Sequence, residues 1–297
     1  LNVDPAWRSA ERFHLSGPSI RLDPRIHAVR RDIADICLAD RVFAPHYARP
    51  HLCHCALPSA MLHEKPDAAA PAASQLLRGE SFAVIDISGG WAWGYGLHDR
   101  YVGYVREEAL GPVEEPTHVV RAAEALVFAA PDIKSRVIAR LPIGARFRGQ
   151  AQDGFVAGAG GYLHERHVRL LEERDGDPVA VAERLIGAPY LWGGRGAGGI
   201  DCSGLVQLAF GLSGISMPRD TDLQRVAIGQ EIDAGDPLRR GDLVFFPGHV
   251  GMMVDADRLL HANAHWMAVT VEPLADVVAR AGGAAGNPIL ARRRIVS

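Results

Sequence analysis

Cysteine is scarce in this sequence, four residues in 297, too few for a disulfide framework to stand in for a hydrophobic core. A basic excess is missing as well. Lys plus Arg number 32 against 35 Asp plus Glu, a formal charge of −3, and without a basic stripe no nucleic acid is expected as a partner. No apolar run approaches the roughly 18 residues of a membrane-crossing helix, and the opening stretch LNVDPAWRSAERFHLSG lacks the apolar core of a signal peptide. The chain as given is expected to be soluble and cytoplasmic; because it opens on Leu1 rather than Met, a lost leader would make it periplasmic or secreted. What is present, 48% hydrophobic and 23% charged residues, is the balance of a folded chain long enough for two or three domains.

Three of the cysteines, Cys37, Cys53 and Cys55, lie in the first fifth of the chain. The run His51-Leu52-Cys53-His54-Cys55 has metal-ligating residue types, but it lacks the spacing that lets a chain wrap an ion. Reduced thiols and no metal are expected. Residues 1–70 read as an irregular and partly helical segment ending in a linker. Within it His27 to Leu38 predicts a short amphipathic helix carrying Val29, Ile33, Ile36 and Cys37 on one side, and Pro66 to Ser74 reads as the linker or as an ordered strap. From Leu76 short β-like runs appear twice. Gly79-x-x-Phe82, Gly90-Trp91-Ala92 and Tyr101-Val102-Gly103-Tyr104-Val105 are echoed by Gly144-x-x-Phe147, Gly154-Phe155-Val156 and Tyr162-Leu163, with the leading glycines 65 residues apart. Two small tandem barrels at 71–115 and 116–173 would explain the echo. They resemble a pair of bacterial SH3-type domains; one irregular β domain is the alternative.

A third texture runs over 174–297. Pro178 to Gly187 has helical periodicity with proline suited to the first turn. A glycine-rich passage, Tyr190 to Gly199, leads to Asp201-Cys202-Ser203-Gly204 and a second apolar helical run to Gly214. Beyond Gly241 the pattern is antiparallel β. Cys202 thus stands where a loop becomes a helix. Unpaired N–H groups and the positive end of the helix dipole favour a thiolate there and could hold an oxyanion. An inert cysteine is the plainer reading of that position taken alone.

His249 and His261 flank a turn centred near Asp255. In a simple hairpin, equidistant residues face each other on one side of the sheet. One imidazole can then serve as base toward Cys202 while the other orients it. Half-buried histidines on a sheet, or a zinc site with Cys202, are the competing readings, and the helix-start position of Cys202 argues against zinc.

These residues carry a resemblance. Asp201-Cys202-Ser203-Gly204, Gly248-His249-Val250-Gly251 and His261-Ala262, with Pro189-Tyr190-Leu191-Trp192-Gly193-Gly194, Pro218-Arg219-Asp220 and Gly241-Asp242-Leu243-Val244-Phe245-Phe246 in order, resemble the NlpC/P60 family of cell-wall cysteine peptidases. With SH3-type domains ahead, the chain is similar to γ-D-glutamyl-L-diamino acid peptidases. The resemblance implies an α+β fold: a papain-like catalytic domain preceded by two small SH3-like barrels. It implies Cys202 as nucleophile, His249 as base, His261 as orienting residue and Tyr190 as an oxyanion-hole hydroxyl. It places Asp201, Ser203, Asp220 and Thr221 around the γ-D-glutamate and the free amine of L-alanine, with an acidic residue and a tyrosine of the first SH3-type domain completing the amine pocket. Glu80 and Tyr101 are the candidates for those two, with Tyr104 as rival. Trp192 is expected to line the cleft; Trp91, Trp93 and Trp266 are core or rim.

The expected reaction is hydrolysis of the bond between γ-D-glutamate and meso-diaminopimelate or L-lysine in murein peptides, in wall-peptide recycling or turnover, without a cofactor. The alternatives are a peptidoglycan-binding module with an idle hydrolase domain, and an acyltransferase or amidase using the same Cys-His site.

Overall fold

A computed structural model describes residues 22–282 and 286–295; the opening stretch read above for a leader lies outside the described residues. The first barrel is a seven-stranded antiparallel sheet in the spatial order Ala72–Leu77, Ser59–His63, Val102–Arg106, Trp91–Gly96, Ser81–Ser88, His51–Cys55 and Leu110–Gly111. Alternation along its strands turns Leu62, Leu76, Phe82, Ala92 and Val105 into one core.

Two strands of this barrel precede residue 71, where the sequence placed its start. His51–Cys55 pairs with Ser81–Ser88 and Ser59–His63 with Ala72–Leu77. The stretch from Pro66 is therefore no interdomain linker. It is the return of a hairpin, in which Glu64 N–H donates to Pro71 O at 3.3 Å and the His63 ring meets Ala70 O at 3.1 Å. Nor is His27 to Leu38 an amphipathic helix. Ile33–Asp35 is a strand parallel to His46–Ala48, as its β-branched residue suits, and Asp35 accepts from Cys37 N–H to start a 3-10 turn over Ile36–Leu38.

Residues 118–170 form a three-stranded and a five-stranded sheet. Gly79 and Gly144 both take positive φ, 74° and 84°, at turns that suit glycine. The two turns meet: Arg146 N–H donates to Arg78 O at 2.8 Å.

The remaining chain is a mixed α and β domain. Helix α1, Pro178–Glu183, opens with Asp177 accepting from Val179 N–H. Helix α2, Cys202–Leu212, is buried everywhere but Gly211, as expected of a helix apolar on all sides. Helix α3 is Thr221–Ala227 and helix α4 Leu274–Gly282. A six-stranded antiparallel sheet runs in the order Gln230–Glu231, Ala291–Arg294, Leu243–Phe246, His249–Met253, Arg258–Asn263 and Ala268–Pro273, with α2 packed on it. One apolar core joins α2 and this sheet to Leu77 of the first barrel and to Val119 and Ile143 beyond it. Among the described residues no helix is long and apolar enough to cross a membrane.

Candidate active site

Asp201 places Cys202. Its two carboxylate oxygens take five donors: Gly204 N–H at 2.7 Å, Gly193 N–H at 2.8 Å, Ser203 Oγ at 3.3 Å, and Arg219 Nη1 and Nη2 at 3.0 and 2.6 Å. The glycine-rich loop, the first turn of α2 and Arg219 are thereby tied to one side chain. Arg219 is fully buried and also donates to Ser203 Oγ at 2.8 Å and to Ser74 Oγ of the first barrel at 2.9 Å. Sequence reasoning gave Arg219 no role of its own; the Pro218-Arg219-Asp220 string was its only signal. With its acceptor capacity spent inside the protein, Asp201 holds the site together, while its edge still lines the cavity beside Cys202.

The Cys202 sulfur is buried, 6% exposed for the residue, with Thr221 Oγ1 at 3.9 Å and the N–H of Val250 turned toward it. Burial, then the Asp201 charge, pushes the thiol above its ordinary 9.0. The thiolate expected at the helix start is therefore disfavoured, because burial withdraws its hydration. His249, one residue before Val250, makes no hydrogen bond to Sγ; it lines a second cavity with Phe246, His261 and Arg280. Burial, reinforced by His261, lowers its imidazole from 6.5 to about 3. Burial thus favours the uncharged form of both the thiol and the imidazole.

His249 Nε2 lies 2.8 Å from His261 Nδ1. The two are on one face, but not directly opposed. Met252 pairs with Leu260 and Met253 with Leu259, so the register is shifted by two residues from the one centred on Asp255 and the histidines meet as diagonal neighbours. Behind them His261 Nε2 lies 2.8 Å from Glu272 Oε1, a residue no motif had marked.

Cys202 opens on a cavity of about 420 Å³ that Asp201, Ser203, Asp220, Thr221, Tyr101 and Trp192 also line. Trp192 is 64% exposed at its rim. Tyr101 donates its hydroxyl to Asp220 at 2.9 Å, whereas the rival Tyr104 lies by Arg30. Burial raises the Asp220 carboxyl, against the hydrogen bonds of Tyr101 and Arg25. Tyr190 packs against the core that holds Cys202; burial and the neighbouring Cys202 push its phenol up to about 12, so it remains a donor. Glu80 is not in this pocket. It is 4% exposed, accepts from Leu77 N–H at 2.9 Å, and pairs with Arg195 Nη1 and Nη2 at 2.7 and 2.9 Å. The chain reverses at Gly79 and turns this carboxylate inward. The first-barrel acid on the cavity wall is Glu64, which directly follows strand Ser59–His63. Trp91 and Trp93 are buried in the barrel, and Trp266 is exposed.

Comparison with known proteins places two stretches of the chain in known families. Residues 187–280 match the NlpC/P60 family, and residues 62–110 match the bacterial dipeptidyl-peptidase Sh3 domain. A dipeptidyl-peptidase 6 of Lysinibacillus sphaericus is 28% identical over 242 residues, 72% of this chain and 89% of that protein. A gamma-D-glutamyl-L-lysine dipeptidyl-peptidase of Bacillus cereus is 25% identical over 239 residues, 68% of this chain and 70% of that one. In fold, the crystal structure of an NlpC/P60 family protein from Bacillus cereus superposes with a TM-score of 0.70 at 20% identity, covering 83% of this chain and 100% of that one. The chain therefore carries an NlpC/P60 domain preceded by an SH3 domain of the bacterial dipeptidyl-peptidase type.

Proposed function

We propose that the protein is a cysteine peptidase that hydrolyses the amide between γ-D-glutamate and a diamino acid in short murein peptides with a free amino-terminal L-alanine. The observation that carries this reading is one cavity holding both Cys202 and the Tyr101–Asp220 pair, which couples a nucleophile to a site for a cation. Arg25 already holds that carboxylate, its Nη1 donating to Asp220 at 2.7 Å, so an incoming ammonium would share it. An alanine ammonium would meet Asp220, Glu64 and the Tyr101 oxygen, exchanging hydration for charge-assisted hydrogen bonds.

In the reaction, Cys202 Sγ adds to the γ-carbonyl as its proton passes to His249. The Cys202 N–H at the first turn of α2, free of a helix partner, and the Tyr190 hydroxyl would hold the oxyanion. Collapse breaks the C–N bond, and His249 returns the proton to the leaving amine. Water, deprotonated by His249, then cleaves the thioester and releases L-Ala-γ-D-Glu. The relatives bearing dipeptidyl-peptidase names support this choice of substrate. Assaying L-Ala-γ-D-Glu-L-Lys beside its N-acetylated form tests it. Cleavage of the free peptide with at least tenfold higher kcat/KM is expected; equal rates would contradict the amine pocket.

A further inference from the structure

The carboxylate behind the two histidines has no part in the reaction as written. Glu272 lies on strand Ala268–Pro273, where it pairs with Leu259, and so sits diagonally from His261 on the same face. We propose that Glu272 is a positioning residue: it sets the tautomer of both histidines and leaves the lone pair of His249 on Nδ1. The proposal rests on His249 being the base.

An ionised carboxylate can only accept, so the 2.8 Å contact between Glu272 Oε1 and His261 Nε2 requires hydrogen on that nitrogen. Burial keeps His261 neutral, against the opposing pull of Glu272, which leaves its Nδ1 bare. His249 Nε2, 2.8 Å from that bare nitrogen, must then be the donor. Its remaining nitrogen, Nδ1, is the one free to take a proton. With hydrogen on Nδ1 of His261 instead, a bare Nε2 lone pair would face the carboxylate at 2.8 Å. Arg280 of α4 secures the carboxylate, donating Nη1 to Oε2 at 3.0 Å and Nη2 to Oε1 at 2.9 Å. Burial opposes the charge on Glu272, but hydrogen bonds from Arg280, Trp266 and His261 hold it at about 2.

Glu272→Gln keeps the shape but can offer either an oxygen or an amide N–H, so it selects no tautomer; Glu272→Asp keeps the charge. With L-Ala-γ-D-Glu-L-Lys as substrate, Glu272→Gln is expected to lower kcat about 10- to 100-fold, in the range of outer-shell partners of functional histidines, with KM changed less than about twofold and Glu272→Asp recovering part of the loss. Nitrogen-15 NMR of the wild-type histidines is expected to show hydrogen on Nε2 of both His249 and His261, and mixed tautomers in Glu272→Gln. Wild-type His261 protonated on Nδ1, an unchanged kcat, or a loss shared with KM and Tm would overturn the proposal. The NMR readout needs no turnover, so failure of the wild type to cleave this peptide would count against the substrate reading alone.

Discussion

Cys202 and Glu80 show how far burial can redirect a side chain. The neutral pairing of thiol and imidazole at Cys202 and His249 predicts that alkylation by iodoacetamide, followed at the Cys202 peptide by mass spectrometry, climbs roughly tenfold per pH unit from 7 to 9, as the thiolate fraction does. A flat rate from pH 5 to 8 would instead indicate a resting ion pair. Glu80 is predicted to matter for stability rather than for substrate. Glu80→Gln leaves Arg195 buried without its counter-charge, at a cost of about 3–5 kcal/mol, read as a fall in Tm. A rise in KM with unchanged Tm would contradict this. Although burial favours its neutral form, the Arg195 charge lowers Glu80 from 4.5 to about 2. Its contribution is therefore complete above about pH 4.5 and lost as pH falls through about 2. Cys202, His249, His261 and Tyr101 could be marked as candidates in the sequence because their neighbours form local strings. The sequence pointed to Glu80 and gave no sign of Glu64, because only the fold decides which acid faces the cavity.

Helix α2 and the sheet were legible from periodicity, proline placement and turn residues. The register was not. Symmetry about Asp255 predicted opposed histidines, while the pairing of Val254 N–H with Arg258 O shifts the strands by two residues and makes a diagonal contact. Helices α3 and α4 were missed, as was the closing strand Ala291–Arg294: α3 is seven residues long, and the strand is rich in arginine, which hides a β signal. The close seat of α2 on its loop gives a direct test. A Cβ at Gly204 would stand 2.4 Å from Gly194 O, a backbone atom that cannot swing aside. Gly204→Ala is expected to displace the start of α2, cutting kcat more than about tenfold, since misplacement of about 1 Å can cost a hundredfold. A variant with wild-type kcat would show that the seat tolerates movement.

The three regions behave as one body, and the cavity belongs to more than one of them. Leu77, Val119 and Ile143 enter the core of the catalytic domain, while Ser74 and Gln75 of the first barrel bond Arg219 and Arg195. The sequence showed the tandem repeat but not this docking, because long-range contacts leave no periodicity. Tyr101→Phe removes the hydroxyl that the first barrel presents to Asp220, and is expected to raise KM for the free peptide by up to about tenfold, the scale of one hydrogen bond, without affecting its N-acetylated form. Equal effects on both would separate Tyr101 from amine recognition. The most direct test of the whole account is product analysis of L-Ala-γ-D-Glu-meso-diaminopimelate by mass spectrometry with wild-type protein and Cys202→Ala. L-Ala-γ-D-Glu and free diaminopimelate are expected from the wild type and intact peptide from the variant; the same products from both, or none from the wild type, would contradict a peptidase acting through Cys202.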